Sequence, residues 1–224
     1  SVYRSRMKVA DLSSKKEIAI FEKAKNDLEE AGLTLKNSMG ILDVSMEVPS
    51  LDDTMPDNER FVRAIKKTTG ASKVRLPFQV LTKIARVFRE SNFEVRCVIR
   101  TSDEGDIFVY DVYPKSESVV IGGLAIDIGT TTVSALLINM LTGEIIGKAS
   151  AGNGQIRYGA DVINRIIESM KPGGSEKLQK AVIDETINPL IQQMCRANGF
   201  KPEHIYRMSI AANTTRSEER RVGK

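Results

Sequence analysis

Apolar and polar side chains alternate along Ile41-Leu42-Asp43-Val44-Ser45-Met46-Glu47-Val48, the period of a half-buried strand, and Pro49 ends the run. Upstream, Ile18, Phe21, Ala24 and Leu28 recur at helical spacing, which predicts a polar helix over residues 14–31 that stops at Gly32. Residues 1–48 therefore read as a linker piece rather than a domain. A second block, residues 49–117, opens on Ser50-Leu51-Asp52-Asp53-Thr54, whose small polar side chains can cap a helix from about 56 to 67 with Phe61, Val62 and Ile65 buried. After Gly70, Leu81, Ile84, Ala85 and Phe88 predict a second helix over 77–90, and strands follow over 93–100 and 106–113 around the turn Asp103-Glu104-Gly105. Two helices and a hairpin make a small α+β module that gains stability by docking.

A third block starts near residue 118 and changes the pattern. Strands over 123–127, 132–140 and 144–149 predict an antiparallel meander. A helix from Gly159 to Ile167 would turn Val162, Ile163, Ile166, Ile167 and Met170 inward, and Pro172-Gly173-Gly174 stops it. A long helix over 175–198 would bury Leu178, Val182, Ile183, Ile187, Leu190, Ile191 and Met194 and bend at Pro189. A fourth strand over 206–212 runs into Asn213-Thr214-Thr215. The fold class is α/β: an α+β middle module over 49–117, followed by three meandering strands, helices and a further strand over 118–215.

Composition narrows the function classes. At 224 residues the chain can bury a sizeable core as one large domain or two small ones. No apolar run reaches the roughly 20 residues of a membrane-spanning helix, and Ser1-Val2-Tyr3-Arg4-Ser5-Arg6 leads into no signal-like stretch, so the expectation is a cytoplasmic protein with no membrane partner. The net charge of +4 owes half its excess to residues 216–224, and elsewhere basic and acidic side chains interleave, which does not support a nucleic-acid groove. Cys97 and Cys195 are too far apart for a local metal motif and are expected to be buried or incidental thiols. His204, in the polar Lys201-Pro202-Glu203-His204, is expected at the surface.

The candidate chemistry lies where the first two strands of the third block meet. An apolar strand ends on Asp127-Ile128-Gly129-Thr130-Thr131-Thr132, so the chain reverses over Gly129 with close backbone approach. The turn offers one carboxylate, three hydroxyls and backbone N–H groups, donors and acceptors suited to phosphate and a hydrated magnesium ion. The bland alternative is a threonine-rich hairpin. Other phosphate motifs fail: in residues 143–150 the glycines are one residue too close for a P-loop and Ala149 stands where a hydroxyl should follow Lys148, and neither a Gly-x-Gly-x-x-Gly nor a Gly-x-Ser-x-Gly occurs.

The Asp-x-Gly-Thr-Thr-Thr turn resembles the first phosphate motif of the actin-like ATPase superfamily, and the strand order resembles the opening of its ribonuclease-H-like subdomain. That resemblance implies ATP and Mg2+ as ligands, with Asp127 orienting magnesium through water and Gly129, Thr130, Thr131 and Thr132 wrapping the phosphates. A narrower resemblance rests on Pro49-Ser50-Leu51-Asp52-Asp53, Asp57-Asn58-Glu59-Arg60, the phosphate turn, Tyr158-Gly159-Ala160-Asp161-Val162-Ile163-Asn164-Arg165-Ile166 and Ala212-Asn213-Thr214-Thr215. This ordered set, over residues 40–215, resembles the reductive activators of corrinoid-dependent enzymes. Members join a [2Fe-2S] ferredoxin-type domain, a linker, a middle domain and an actin-like ATPase domain, and use ATP to help return cobalt(II) to cobalt(I). The resemblance implies a corrinoid protein or corrinoid-dependent methyltransferase as partner and admits a homodimer. It makes Asp161 a contact to magnesium or the attacking water, the alternative being a simple helix start. It also makes Asn213 and Thr214 cofactor-facing, the alternative being a turn.

No four-cysteine cluster precedes the linker, and the second phosphate loop of the superfamily does not follow the fourth strand. The expectation is an incomplete piece of a longer activator with little ATPase activity of its own, and a tail over 216–224 that is either non-family sequence or a charged helix. Two alternatives come from other classes: a small-molecule kinase of the same superfamily, and a non-catalytic nucleotide-binding interaction module.

Overall fold

Strand alternation and helical spacing sort the chain into two sheets, each with its own helices, in the computed structural model of the protein. The structure describes residues 8–9, 23, 26, 27, 30 and 38–212. The predicted helix over 14–31 lies outside them except for Lys23, Asn26, Asp27 and Glu30, all helical. The chain divides into two compact units, residues 35–121 and a second that joins 1–34 to 122–224. The stretch expected as a linker is thus shared out: β1 (Lys8–Val9) pairs with Ser150 and Ala149 in the second unit, and β2 (Met39–Ser45) is an edge strand of the first.

In the unit of residues 35–121, α1 (Asp57–Thr69), β3 (Val74–Arg75), α2 (Phe78–Glu90), β4 (Glu94–Thr101) and β5 (Ile107–Pro114) follow β2, and the sheet order is β2-β4-β5-β3. Both helices lay apolar stripes on one sheet face, where Phe61, Ile65, Val80, Ile84, Phe88, Val95, Cys97 and Val109 form the core. Phe88 anchors it, its ring 5.2 Å from that of Phe61 and 5.8 Å from that of Phe93. Burial pushes the Cys97 thiol well above its ordinary range, so it behaves as a small hydrophobe. Two expectations are corrected. Val80 and Val87 take the inward positions expected of Leu81 and Ala85, which are exposed, because α2 meets the sheet rotated by about one residue. No side chain caps α1, whose N-cap is Pro56; Asp53 instead accepts from the Met55 N–H at 2.9 Å and pairs with Arg60 at 2.5 Å. The C-terminus of α1 is closed by Gly70, left-handed at φ 73°, donating to the Lys66 carbonyl.

In the unit that holds residues 122–212, β6 (Gly122–Ile128), β7 (Thr132–Asn139) and β8 (Ile145–Gly152) form the expected antiparallel meander. β9 (Ile205–Ala212) adds parallel to β6, and the order is β1-β8-β7-β6-β9. Between β8 and β9 lie a 3-10 turn (Gly154–Tyr158), α3 (Val162–Ser169), α4 (Gly174–Val182), a π-turn (Ile183–Ile187) and α5 (Asn188–Ala197). Leu124, Ile126, Val133, Ala135 and Leu137 meet Ile187, Leu190 and Met194 in the core. No helix among the described residues is long and apolar enough to cross a membrane.

Three expectations for this unit change. The helix over 175–198 is broken by the π-turn before Pro189 rather than bent at it. Pro189 has no N–H for the Glu185 carbonyl and its ring crowds that oxygen, while the Thr186 hydroxyl donates to the Ala181 carbonyl at 2.7 Å, so the winding loosens and Ile183 turns outward. On α3 the expected apolar face is not the buried one: Ile163, Ile167 and Met170 are exposed, while Arg165 is 2% exposed. His204 is buried, its ring between those of Phe200 and Tyr206.

Candidate functional site

The parallel pairing of β6 with β9 brings their carboxyl ends together, Asp127 opposite Ala211 and Ile128 opposite Ala212. Ligands of open α/β sheets are met at such strand ends. Leu124 and Ile126 face the core, so alternation puts Asp127 on the opposite sheet face, exposed and across from Ser134. Asn213 and Thr214, which follow β9, lie outside the described residues.

From Ile128 the chain turns back on itself within four residues. The Gly129 N–H donates to the Thr132 carbonyl at 2.9 Å, and a Cβ on Gly129 would stand 2.6 Å from that oxygen. The glycine is therefore required by close approach. The three carbonyls of the turn are all held. Asn153 Nδ2 donates to the Gly129 carbonyl at 2.9 Å and the Asn153 N–H to the Thr131 carbonyl at 2.8 Å. Between them, Arg165 Nη2 donates to the Thr130 carbonyl at 2.7 Å.

In a trans peptide the C=O and the next N–H point in opposite directions. Tying the carbonyls of Gly129 and Thr130 to the protein therefore turns the N–H groups of Thr130 and Thr131 the other way. Among the described residues, neither of these amides meets an acceptor. Beside them the hydroxyl-bearing Thr131 and Thr132 are exposed and Thr130 is half-buried. Two outward amides, three hydroxyls and a nearby carboxylate can bind phosphate oxygens and the water shell of a hard divalent cation.

The groups behind the turn are themselves fixed. Asn153, 2% exposed, caps the 3-10 turn by accepting from the Gln155 N–H at 3.0 Å. Gln155, equally buried, donates to the Leu178 carbonyl at 3.0 Å and accepts from Arg165 Nη1 at 3.4 Å. The Gly154 N–H donates at 3.0 Å to the Thr186 hydroxyl, inside the π-turn. At the head of α3, Asp161 is the N-cap: Oδ1 accepts from the Asn164 N–H at 2.8 Å and Oδ2 from Asn164 Nδ2 at 2.9 Å.

Sequence reasoning missed Asn153, Gln155 and Arg165. The available signal was an arginine in the middle of a short apolar helix, next to a glycine-led turn on which it could spend its donors.

Comparison with known proteins places these two units in one family. Residues 28–118 match the RACo linker region and residues 122–218 the RACo middle region, so the family's own boundary falls between the two compact units. The corrinoid activation enzyme RamQ of Eubacterium limosum is 30% identical over 140 residues, 62% of this chain and 23% of that protein. A solved reductive activator for corrinoid, iron-sulfur protein superposes with a TM-score of 0.67 at 32% identity, over 83% of this chain and 29% of that one. The chain spans less than a third of the length of either.

Proposed function

Because the chain belongs to the RACo family, of which it carries the linker and middle regions, we propose that its 129–132 turn is the phosphate site of an ATP-dependent reductive activator that returns a corrinoid protein from cobalt(II) to cobalt(I). In this reading the Thr130 and Thr131 N–H groups and the threonine hydroxyls bind the phosphates of ATP, and Asp127 holds Mg2+ through water. Asp161 has lone pairs left beside its two bonds to Asn164 and positions a water. Asn213 and Thr214, outside the described residues, are included on the family resemblance alone.

The electron would be supplied by a reduced iron-sulfur donor, which would be oxidised by one electron as cobalt(II) became cobalt(I). That transfer is uphill from an ordinary iron-sulfur donor. ATP contributes only through differential binding: nucleotide held at the turn must favour the complex in which cobalt is reduced. The observation that carries the reading is the clamp behind the turn, which presents two amides that meet no acceptor among the described residues, next to an exposed carboxylate.

The test uses a polypeptide of the relatives' full length that contains this chain, with a reduced iron-sulfur donor and a candidate corrinoid protein. Cobalt(I) absorbance should rise with ATP and Mg2+ and fail to do so after Asp127→Ala. Reduction indifferent to nucleotide would sink the proposal, and ADP release that depends on a small-molecule acceptor would favour a kinase instead.

A further inference from the structure

We propose that Arg165 is the positioning residue of this phosphate site, aiming the Thr131 N–H at the bound phosphate by tying down the Thr130 carbonyl; the inference rests on the phosphate-turn reading above. Arg165 is 2% exposed and its guanidinium donates to three segments: Nη2 to the Thr130 carbonyl at 2.7 Å, Nε to the Gly159 carbonyl at 2.8 Å and Nη1 to Gln155 Oε1 at 3.4 Å. Burying a cation costs free energy, and the hydrogen bonds and any nearby anion must offset it. A rigid fork fixes the direction of a peptide plane, which a single ammonium on a flexible stem does not. The peptide held this way joins Thr130 to Thr131, so Arg165 governs the Thr131 amide, while Asn153 Nδ2 governs the amide of Thr130.

Gly159 reinforces the assignment. A Cβ there would stand 2.8 Å from the Asn164 Cβ and 2.9 Å from the Arg165 N–H nitrogen, so the chain entering α3 passes tight against the helix that carries the arginine. Arg165 thus bridges the turn, the helix start and, through Gln155, the carbonyl of Leu178 on α4.

Inorganic pyrophosphate with Mg2+ is the probe, because it asks only for the phosphate contacts. Titrated into the 224-residue chain, it should move the Thr130 and Thr131 amide resonances saturably in 1H–15N spectra. Arg165→Met should weaken binding by about tenfold or more, and the Thr131 amide should be displaced further than that of Thr130 before any ligand is added. Arg165→Lys keeps a buried positive charge without the fork and should still bind several-fold more weakly than the parent. Leu190→Ala, a core change of comparable destabilisation away from the turn, should leave affinity unchanged.

If both Arg165 variants bind within about twofold of the parent, or if Leu190→Ala weakens binding as much as they do, the positioning role is wrong while the phosphate site stands. If the parent's own amides ignore pyrophosphate, the phosphate-turn reading fails and this inference with it.

Discussion

Replacing Asn153 separates its two jobs, and the structure sets the size of each effect. Asn153→Ser keeps an oxygen able to cap the 3-10 turn at the Gln155 N–H, since serine ranks with asparagine at such positions. It is too short to reach the Gly129 carbonyl, which Asn153 Nδ2 meets at 2.9 Å. Losing one hydrogen bond to the half-buried turn costs about 0.5–1.5 kcal/mol. Asn153→Ala loses the cap as well, a further cost of about 1 kcal/mol. The ordering is therefore parent, then serine, then alanine, with drops in melting temperature of a few degrees for the first step and a few degrees more for the second. Thermal and urea unfolding followed by circular dichroism read the ordering, and the Thr130 amide resonance reports the released carbonyl directly. A serine variant as stable as the parent, with an unmoved Thr130 amide, would refute the tie to Gly129. Serine and alanine variants of equal stability would refute the cap.

Gly129→Ala should lower Mg2+-pyrophosphate affinity by about tenfold or more with the sheets intact, because a Cβ 2.6 Å from the Thr132 carbonyl forces the turn open; unchanged binding in the spectra would contradict the close-approach argument. Phe88→Ala should cost the 35–121 unit about 3–5 kcal/mol and Phe88→Leu less than half of that, measured as urea midpoints, since the ring is fully buried between Phe61 and Phe93. The hydrogen bonds from Arg96 to Asp43, at 2.8 and 2.9 Å, hold that carboxyl below its ordinary value of 3.8. A carboxyl with a lowered folded-state pKa adds stability that is present above its ordinary pKa and lost as pH falls through the folded value. The pair is 27% and 37% exposed, so solvent screening limits its worth to about 0.5–1 kcal/mol. Asp43→Asn should lose that amount at pH 7 and progressively less as pH falls through the folded-state value, and a deficit that does not shrink in acid would deny the ion pair.

The parts legible in the sequence are those fixed by neighbours along the chain. The 129–132 turn is such a part, because the strand, the reversal over Gly129 and the next strand are contiguous, and Asp127 and the threonines stand at one end of β6 and β7. The meander follows from alternation, and a fourth strand was expected, though its parallel pairing with β6 was not. What holds the turn was not legible, because Asn153 and Arg165 reach it across 24 and 35 residues. Helical spacing on α3 even pointed the wrong way: an apolar stripe of Ile163, Ile167 and Met170 outweighs one arginine in any hydropathy pattern, yet that arginine has the hydrogen-bond acceptors. His204 misled although both rings it meets, Phe200 and Tyr206, are close in sequence, because only the polar Lys201-Pro202-Glu203 beside it was weighed.

The π-turn between α4 and α5 acts as a phase correction. Each α-helical residue advances about 100°, so Leu178 and Leu190 would stand about 120° apart on an unbroken rod. Absorbing one surplus residue in the wider coil brings that angle to about 20°, and both leucines are buried. The two halves of the rod are thus keyed to each other by residue count as well as by side-chain identity. Deleting one residue from the 183–187 segment would remove the surplus and let a regular α-helix keep Leu178 and Leu190 on one face, whereas inserting one would swing Leu190 and Met194 away from the sheet.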